Sequence, residues 1–202
     1  MEKLNFVYVL GENKHDEIKF SVRSVLRLYN NANILIIGQK PDCLSVDHCY
    51  MDDNDTILIN IWNKMIKACS FFDEWVLMND DFFLLKHLPK YHFYSTMFPK
   101  KISSIGEMIR VSRDMFPDSP NYMVHTPLWI HSKTFLQNIN KSISPRMMYC
   151  NNENKYKRVK IKDVKYMKPI TTLNSDLFFS IGSWNNNKSF VKRMFPDKCH
   201  LE

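Results

Sequence analysis

Glycine is scarce in this chain, with four among 202 residues, and none of the four falls in a phosphate-binding pattern. No Gly-x-Gly-x-x-Gly follows the first apolar run, and no Gly-x-x-x-x-Gly-Lys-Ser/Thr sequence occurs anywhere. Classical dinucleotide sites and P-loops are thereby excluded, because both need glycine to bring backbone amides against a phosphate. Cysteine is equally sparing: five residues, at 43, 49, 69, 150 and 199, an odd number without a Cys-x-x-Cys pair. Neither a disulfide framework nor a zinc knuckle is supported, and free, mostly buried thiols are expected. No apolar run reaches the roughly eighteen residues needed to cross a bilayer. Residues 4 to 10 form too short a run, with an acid upstream, for a secretory leader. A cytoplasmic protein is the expectation.

Large apolar side chains are plentiful. Fourteen Phe and 12 Met, in a chain that is 45% hydrophobic and 24% charged, predict one ample core packed by adaptable side chains. A formal charge of +7 with a pI near 9.1 favours polyanionic partners. The excess is concentrated between Arg146 and Lys168, where Lys155, Lys157, Arg158, Lys160, Lys162 and Lys165 also lie, opposed only by Glu153 and Asp163. Tyr149, Tyr156 and Tyr166 stand among these cations, a mixture able to hold phosphates and stack on bases, as a DNA-binding surface would. A solvated edge strand protected by lysines explains the same pattern.

Periodicity places the elements. Residues 4 to 10 read as a buried first strand stopped at Gly11. Ile18, Val22, Val25, Leu26 and Tyr29 then recur at helical spacing, and residues 34 to 37 read as a second strand ending at Gly38. A short extended stretch around residues 46 to 50 follows. Asp52, Asp53, Asn54 and Asp55 offer N-caps for a helix whose apolar side carries Ile57, Ile61, Ile66 and Cys69. The next strand begins at Trp75. Strands separated by helices of this length predict an α/β fold, a single Rossmann-like domain with a mostly parallel central sheet flanked by helices. Beyond it the pattern is less regular: helices over residues 103 to 115 and 132 to 143, an extended stretch from 122 to 130, a loop at 151 to 154, a basic strand from 158 to 162, and a last apolar element from 176 to 181.

The strand from Trp75 ends in Asn79, Asp80 and Asp81. Side chains at the carboxyl end of a buried parallel strand enter the crevice where such folds bind ligands. Two carboxylates there are hard oxygen donors suited to Mg²⁺ or Mn²⁺ shared with phosphate oxygens. A polar turn leaving a strand accounts for the same residues.

The order of parts is similar to that of nucleotide-sugar transferases of the GT-A type. Asp16-Glu-Ile-Lys-Phe-Ser-Val-Arg-Ser-Val25 with Asn33-Ile-Leu-Ile-Ile-Gly38, Val76-Leu-Met-Asn-Asp-Asp-Phe-Phe-Leu84, and His125-Thr-Pro127 with Lys133 resemble, in order and spacing, the blocks of the Stealth family of sugar-phosphate transferases. The family's opening motif is reduced to Val7-Tyr8, and the second histidine of its His-Pro block is replaced by Leu128. Transfer of a sugar and transfer of a sugar phosphate therefore both remain open.

The resemblance implies a GT-A-like domain over residues 1–200, with a nucleotide-binding half to about residue 85 and an acceptor half beyond. Leu201 and Glu202 look like residues left by cloning ahead of a histidine tag. It further implies a nucleotide-sugar donor, a UDP-sugar, and a Mn²⁺ or Mg²⁺ ion held by Asp81 with Asp80. Asn79 would orient a ribose hydroxyl or the metal's water, Arg23 and Lys64 would hold phosphate, and Gly11, Glu12 and Asn13 would flank the base. His125 is the candidate for proton transfer, and Asp176 could activate an acceptor hydroxyl or be a helix N-terminal acid. The acceptor would be a hydroxyl on DNA carrying modified bases, as in phage DNA glycosyltransferases, or on a polysaccharide. A metal-dependent phosphoesterase and a non-catalytic nucleic-acid-binding protein are the competing readings.

Overall fold

The computed structural model describes residues 3–11, 17–96, 104–162 and 164–202, with the side chains of residues 104–109 left aside. The chain begins β1 (Asn5–Val9), α1 (Ile18–Leu28), β2 (Asn33–Ile37), β3 (Asp47–Cys49), α2 (Ile57–Ala68) and β4 (Glu74–Met78). It continues through β5 (Phe82–Leu84), β6 (Tyr91–Tyr94), α3 (Ser104–Met115), β7 (Leu128–His131), α4 (Ser132–Gln137) and α5 (Pro145–Asn152). The last elements are β8 (Lys157–Lys160), β9 (Lys165–Tyr166), β10 (Phe178–Ile181) and α6 (Trp184–Met194).

The five-stranded sheet has the order β3-β2-β1-β4-β7 and is parallel throughout except for β7, which runs antiparallel to β4. The mixed α/β fold with a mostly parallel sheet flanked by helices is the architecture read from the sequence. Phe6, Val7, Tyr8, Ile36, Trp75, Val76 and Met78 are completely or almost completely buried, as strands covered on both faces must be. A small sheet, β5-β10-β9, and a parallel ribbon, β6-β8, complete the strands.

Two serines explain how α1 meets β5. Ser21 Oγ donates to the Phe82 carbonyl while accepting from the Tyr8 hydroxyl at 2.9 Å, and Ser24 Oγ accepts from Leu84 N at 2.9 Å. Their burial is thus satisfied, and β5 is tied to the helix before the chain enters the second sheet. The main core runs through both halves, from Phe6 to Phe178, and a second cluster of Phe20, Phe83, Phe179, Ile181, Val191 and Phe195 lies under α6.

Several expectations need correction. The N-cap of α2 is Thr56, whose Oγ1 accepts from Ile59 N, and not one of the preceding acids. Its buried face carries Asn60, Trp62, Lys64, Met65 and Ala68, leaving Ile57 65% exposed. Lys64 turns inward to donate to the Leu10 carbonyl beyond the end of β1, and Asn60 turns inward to accept from Asp55 N and donate to Asp55 O ahead of the helix. The helix expected to reach residue 143 stops at Gln137, and α5, β6 and α6 emerge where none was expected. Apart from these corrections, the Leu201 carbonyl accepts a hydrogen bond from Ser45 N at 2.6 Å, and the Glu202 side chain is 7% exposed.

Candidate functional site

From β1 the chain builds outward to β2 and β3, then returns across β1 to place β4 on its other side. The crevice at the carboxyl ends of β1 and β4 is therefore the point of reversal, the usual ligand position in open α/β sheets. Leu10 and Gly11 leave from one lip of it and Asn79, Asp80 and Asp81 from the other.

The β1 lip is closed by a buried ion pair. Gly38 has φ +121°, and a Cβ there would stand 2.0 Å from the Leu10 carbonyl oxygen, so only glycine lets the end of β2 pass so near. Lys64 projects from α2 into this junction, 3% exposed, donating to Leu10 O at 2.6 Å and pairing with Asp53. A Cβ on Gly11 would lie 3.3 Å from Asp53 Oδ2, so that carboxylate borders the position expected for the base. The ammonium is thus committed to holding the lip. Asn63, on the same helix, accepts from Lys141 Nζ at 2.6 Å. Glu12 and Asn13 lie outside the described residues.

At the β4 lip the chain turns through Asn79, whose carbonyl accepts from Phe82 N at 3.2 Å, and enters β5. Asp81 stands at this turn with its side chain 14% exposed. Its Oδ2 accepts from Ser180 Oγ at 2.9 Å and faces Lys165 Nζ at 3.3 Å. Ser180 and Lys165 are register partners on β10 and β9, so two neighbouring strands present one donor each to the same oxygen. Asp81 Oδ1, by contrast, is buried without a hydrogen-bond partner. Asp80 adjoins it, and its charge reaches the Tyr8 hydroxyl, whose pKa is raised by burial against the lowering effect of Ser21 and with the added effect of Asp80.

Arg146 completes this end. The guanidinium is deeply surrounded yet keeps some solvent contact, and it bonds to the carbonyls of Val124 and Thr126, on either side of His125. Burial lowers its pKa to about 10, opposed by Cys150 and Asp81, so it stays charged near neutral pH. Half-buried His125 is thus fixed in a loop pinned by a cation whose field includes Asp81. Residues 122 to 127 form an irregular loop, and the strand begins only at Leu128.

Other expected site residues are placed elsewhere. Arg23 directs Nε and Nη2 to the Glu202 carboxylate at 2.6 Å each and Nη1 to the carbonyls of Phe195 and Pro196. The Glu202 hydrogen bond raises its pKa against the opposing effect of burial, and its fork is occupied by the protein. Asp176 lies beyond the far end of the β5–β10 ladder, in a surface ion pair with Lys86 at 2.6 Å, its side chain 75% exposed. With strands rising roughly 3.4 Å per residue, that is on the order of 17 Å from Asp81, which lies opposite Ile181. It precedes a strand and not a helix.

In the basic segment, Lys155 pairs with Glu74 at 2.8 Å, and Arg158 donates to the carbonyls of Cys150 and Glu153. Lys157, Lys160 and Lys162 are exposed. Tyr149 and Tyr156 are core residues, at 0% and 4% exposure, and offer no face to a base. Sequence reasoning missed Ser180, read Asp53 as an N-cap candidate and Glu202 as a residue left by cloning, and gave Arg146 and Lys165 a place in a charge run only. The convergence of Ser180 and Lys165 on Asp81 depends on the β9–β10 register, for which the sequence carries no local signal.

No family model matches the chain, and no curated protein is similar to it in sequence. Among solved structures it is similar to the glycosyltransferase GlyE of Streptococcus pneumoniae TIGR4, at 10% identity and a TM-score of 0.42, over 78% of this chain and 45% of that one. The apo form of the same glycosyltransferase gives 10% identity and a TM-score of 0.43 over 82% and 46%. The chain thus spans somewhat less than half the length of these structures.

Proposed function

We propose that the chain is a transferase that moves a sugar or a sugar phosphate from a nucleotide-sugar donor, a UDP-sugar, to a hydroxyl acceptor. The observation that carries this reading is the buried, unpartnered Asp81 Oδ1 at the carboxyl end of β4, where the strand order reverses. A bare carboxylate oxygen is costly to bury without a compensating group, and a hard cation is the group its chemistry suits. Among the described residues no set of three or more His, Cys, Asp or Glu gathers to hold a metal by itself. That fits Mg²⁺ or Mn²⁺ taken up on one or two carboxylates, Asp81 with Asp80, the remaining positions going to phosphate and water. Bound there, the ion would neutralise charge on the departing phosphate.

The chain's own residues do the rest. Lys64 and Asp53 hold the β1 lip in one shape beside the nucleoside. Asn79 faces the ribose side, Arg146 fixes the loop that carries His125, and His125 takes the acceptor's proton. Two-metal hydrolysis is disfavoured because it needs the clustered acids and histidines that are missing among the described residues. DNA as acceptor would rest on phosphate contacts from Lys157, Lys160 and Lys162, since Tyr149 and Tyr156 are unavailable for stacking. A polysaccharide hydroxyl is the acceptor we favour.

Thermal denaturation across a panel of nucleotide sugars, each with and without Mn²⁺, tests the reading, because a ligand of the native state raises Tm by mass action. A UDP-sugar is expected to raise Tm only when Mn²⁺ is present, and Asp81→Asn to abolish the shift. If no sugar nucleotide moves Tm at millimolar concentration, the transferase reading is wrong.

A further inference from the structure

Asp81 is already engaged by a cation of the protein's own. Lys165 Nζ stands 3.3 Å from Asp81 Oδ2, the oxygen that also receives the Ser180 hydroxyl at 2.9 Å. The contact is built in. The parallel pairing of β9 with β10 sets Lys165 opposite Ser180, and Gly182, two residues further along, leaves room for the lysine stem. A Cβ on Gly182 would lie 2.9 Å from Lys165 Cε and 2.0 Å from Met167 Sδ, so any larger residue would push both aside.

The same contact is loose. At 3.3 Å it is longer than the 2.6 Å of the Arg23–Glu202 pair, and the Lys165 side chain is 27% exposed, so its ammonium can move to water without leaving a buried charge. Lysine has a flexible four-carbon stem and a compact charge, which suits it to exchange more than a fixed guanidinium fork would. Arg146 brings a second positive charge to the same carboxylate. A doubly charged ion on Asp81 would stand within a few ångströms of the ammonium and repel it, whereas a diphosphate on that ion would attract it.

We propose that Lys165 is the resident counter-ion of Asp81, that it yields the carboxylate to a divalent cation, and that it then holds the donor diphosphate beside that cation. This rests on the transferase reading above and adds to it a residue that opposes the metal alone and favours the metal with nucleotide. Empty protein would thereby hold Mn²⁺ weakly, and the ion and the nucleoside diphosphate would bind cooperatively.

The test uses Mn²⁺ and UDP as probes. Free Mn²⁺ is titrated by electron paramagnetic resonance, and UDP binding is measured by calorimetry at saturating Mn²⁺, on the wild type and on Lys165→Met. The variant is expected to bind Mn²⁺ about tenfold more tightly and UDP about tenfold more weakly, each equivalent to one lost or relieved charge contact. Opposite signs cannot come from a damaged fold, which would weaken both. Lys165→Arg keeps the charge and is expected to leave Mn²⁺ affinity within about twofold of wild type. Unchanged affinities in Lys165→Met, or a loss of both, overturn the proposal while wild-type binding leaves the transferase reading standing. A wild type that binds neither Mn²⁺ nor UDP overturns both.

Discussion

The two ends of β4 carry carboxylates of opposite character. At its amino end Glu74 is held by Lys90, by Lys155 at 2.8 Å and by the Tyr156 hydroxyl at 2.7 Å. Burial raises its pKa, but these three donors outweigh that and hold it down at about 2. At the carboxyl end Asp81 has donors on one oxygen and none on the other. The well-partnered acid fastens β4 to the chain leading into β6 and β8, with donors on both oxygens. The unsaturated acid adds little to the fold and keeps its capacity for a cation. One strand therefore has a structural end and a chemical end, in the sense that ligand sites of parallel sheets predict.

The largest test of that contrast lies near the structural end. His92 on β6 is fully buried, donates from Nε2 to Trp129 O at 3.0 Å, and has no partner for Nδ1. Burial lowers its pKa to about 4, against the raising effects of the Trp129 hydrogen bond and Glu153. The unfolded chain takes up a proton near 6.5 and the native one does not, so stability is intact above 6.5 and falls as the pH drops towards 4. A loss on the order of 2–3 kcal/mol is expected across that window in urea titrations, and His92→Gln should flatten it.

Next in size is Glu74 itself. Its depressed pKa contributes stability above about 4.5 that is lost as the pH falls towards 2, and Glu74→Gln at neutral pH should cost about 2 kcal/mol and remove this second acid step. Asp81→Asn should break the symmetry of the pair: denaturation shifts by less than about 1 kcal/mol, while any Mn²⁺-dependent binding vanishes. If Asp81→Asn destabilises as much as Glu74→Gln, the distinction between the two ends is lost. Smallest of all, Asp176→Asn is expected to change neither Tm nor turnover, since its side chain is 75% exposed and pairs with the exposed Lys86.

The regular half of the molecule was legible. β1, α1, β2 and β4 carry buried runs and helical spacing that local sequence states outright, and the position of Asp81 just beyond a strand was legible because the apolar run ends at Met78. The face of α2 was not, because Lys64 turns inward to the Leu10 carbonyl at the sheet's edge and Asn60 to the backbone of Asp55, against the periodicity of Ile57 and Ile61. α6 was missed for a related reason: Asn187 is its buried polar residue, donating to the Ser183 carbonyl and accepting from Ile170 N, and only Val191 joins it as a buried apolar one. Arg23 misled in the other direction, for a bidentate fork was visible in the sequence and the Glu202 carboxylate that fills it was not. In each case the deciding partner is distant along the chain.

That distance has a consequence during synthesis. Asp81 meets Ser180 across a separation of 99 residues. Strands β1 to β4 can pair once the first eighty or so residues have left the ribosome, but the donors for the carboxylate arrive about a hundred residues later. For several seconds at ordinary elongation rates a nascent chain would carry its sheet with an unattended acid at the tip. The surroundings of Asp81 are therefore acquired late by the growing polypeptide, and a stalled or shortened product lacking β10 would leave that carboxylate without its Ser180 donor.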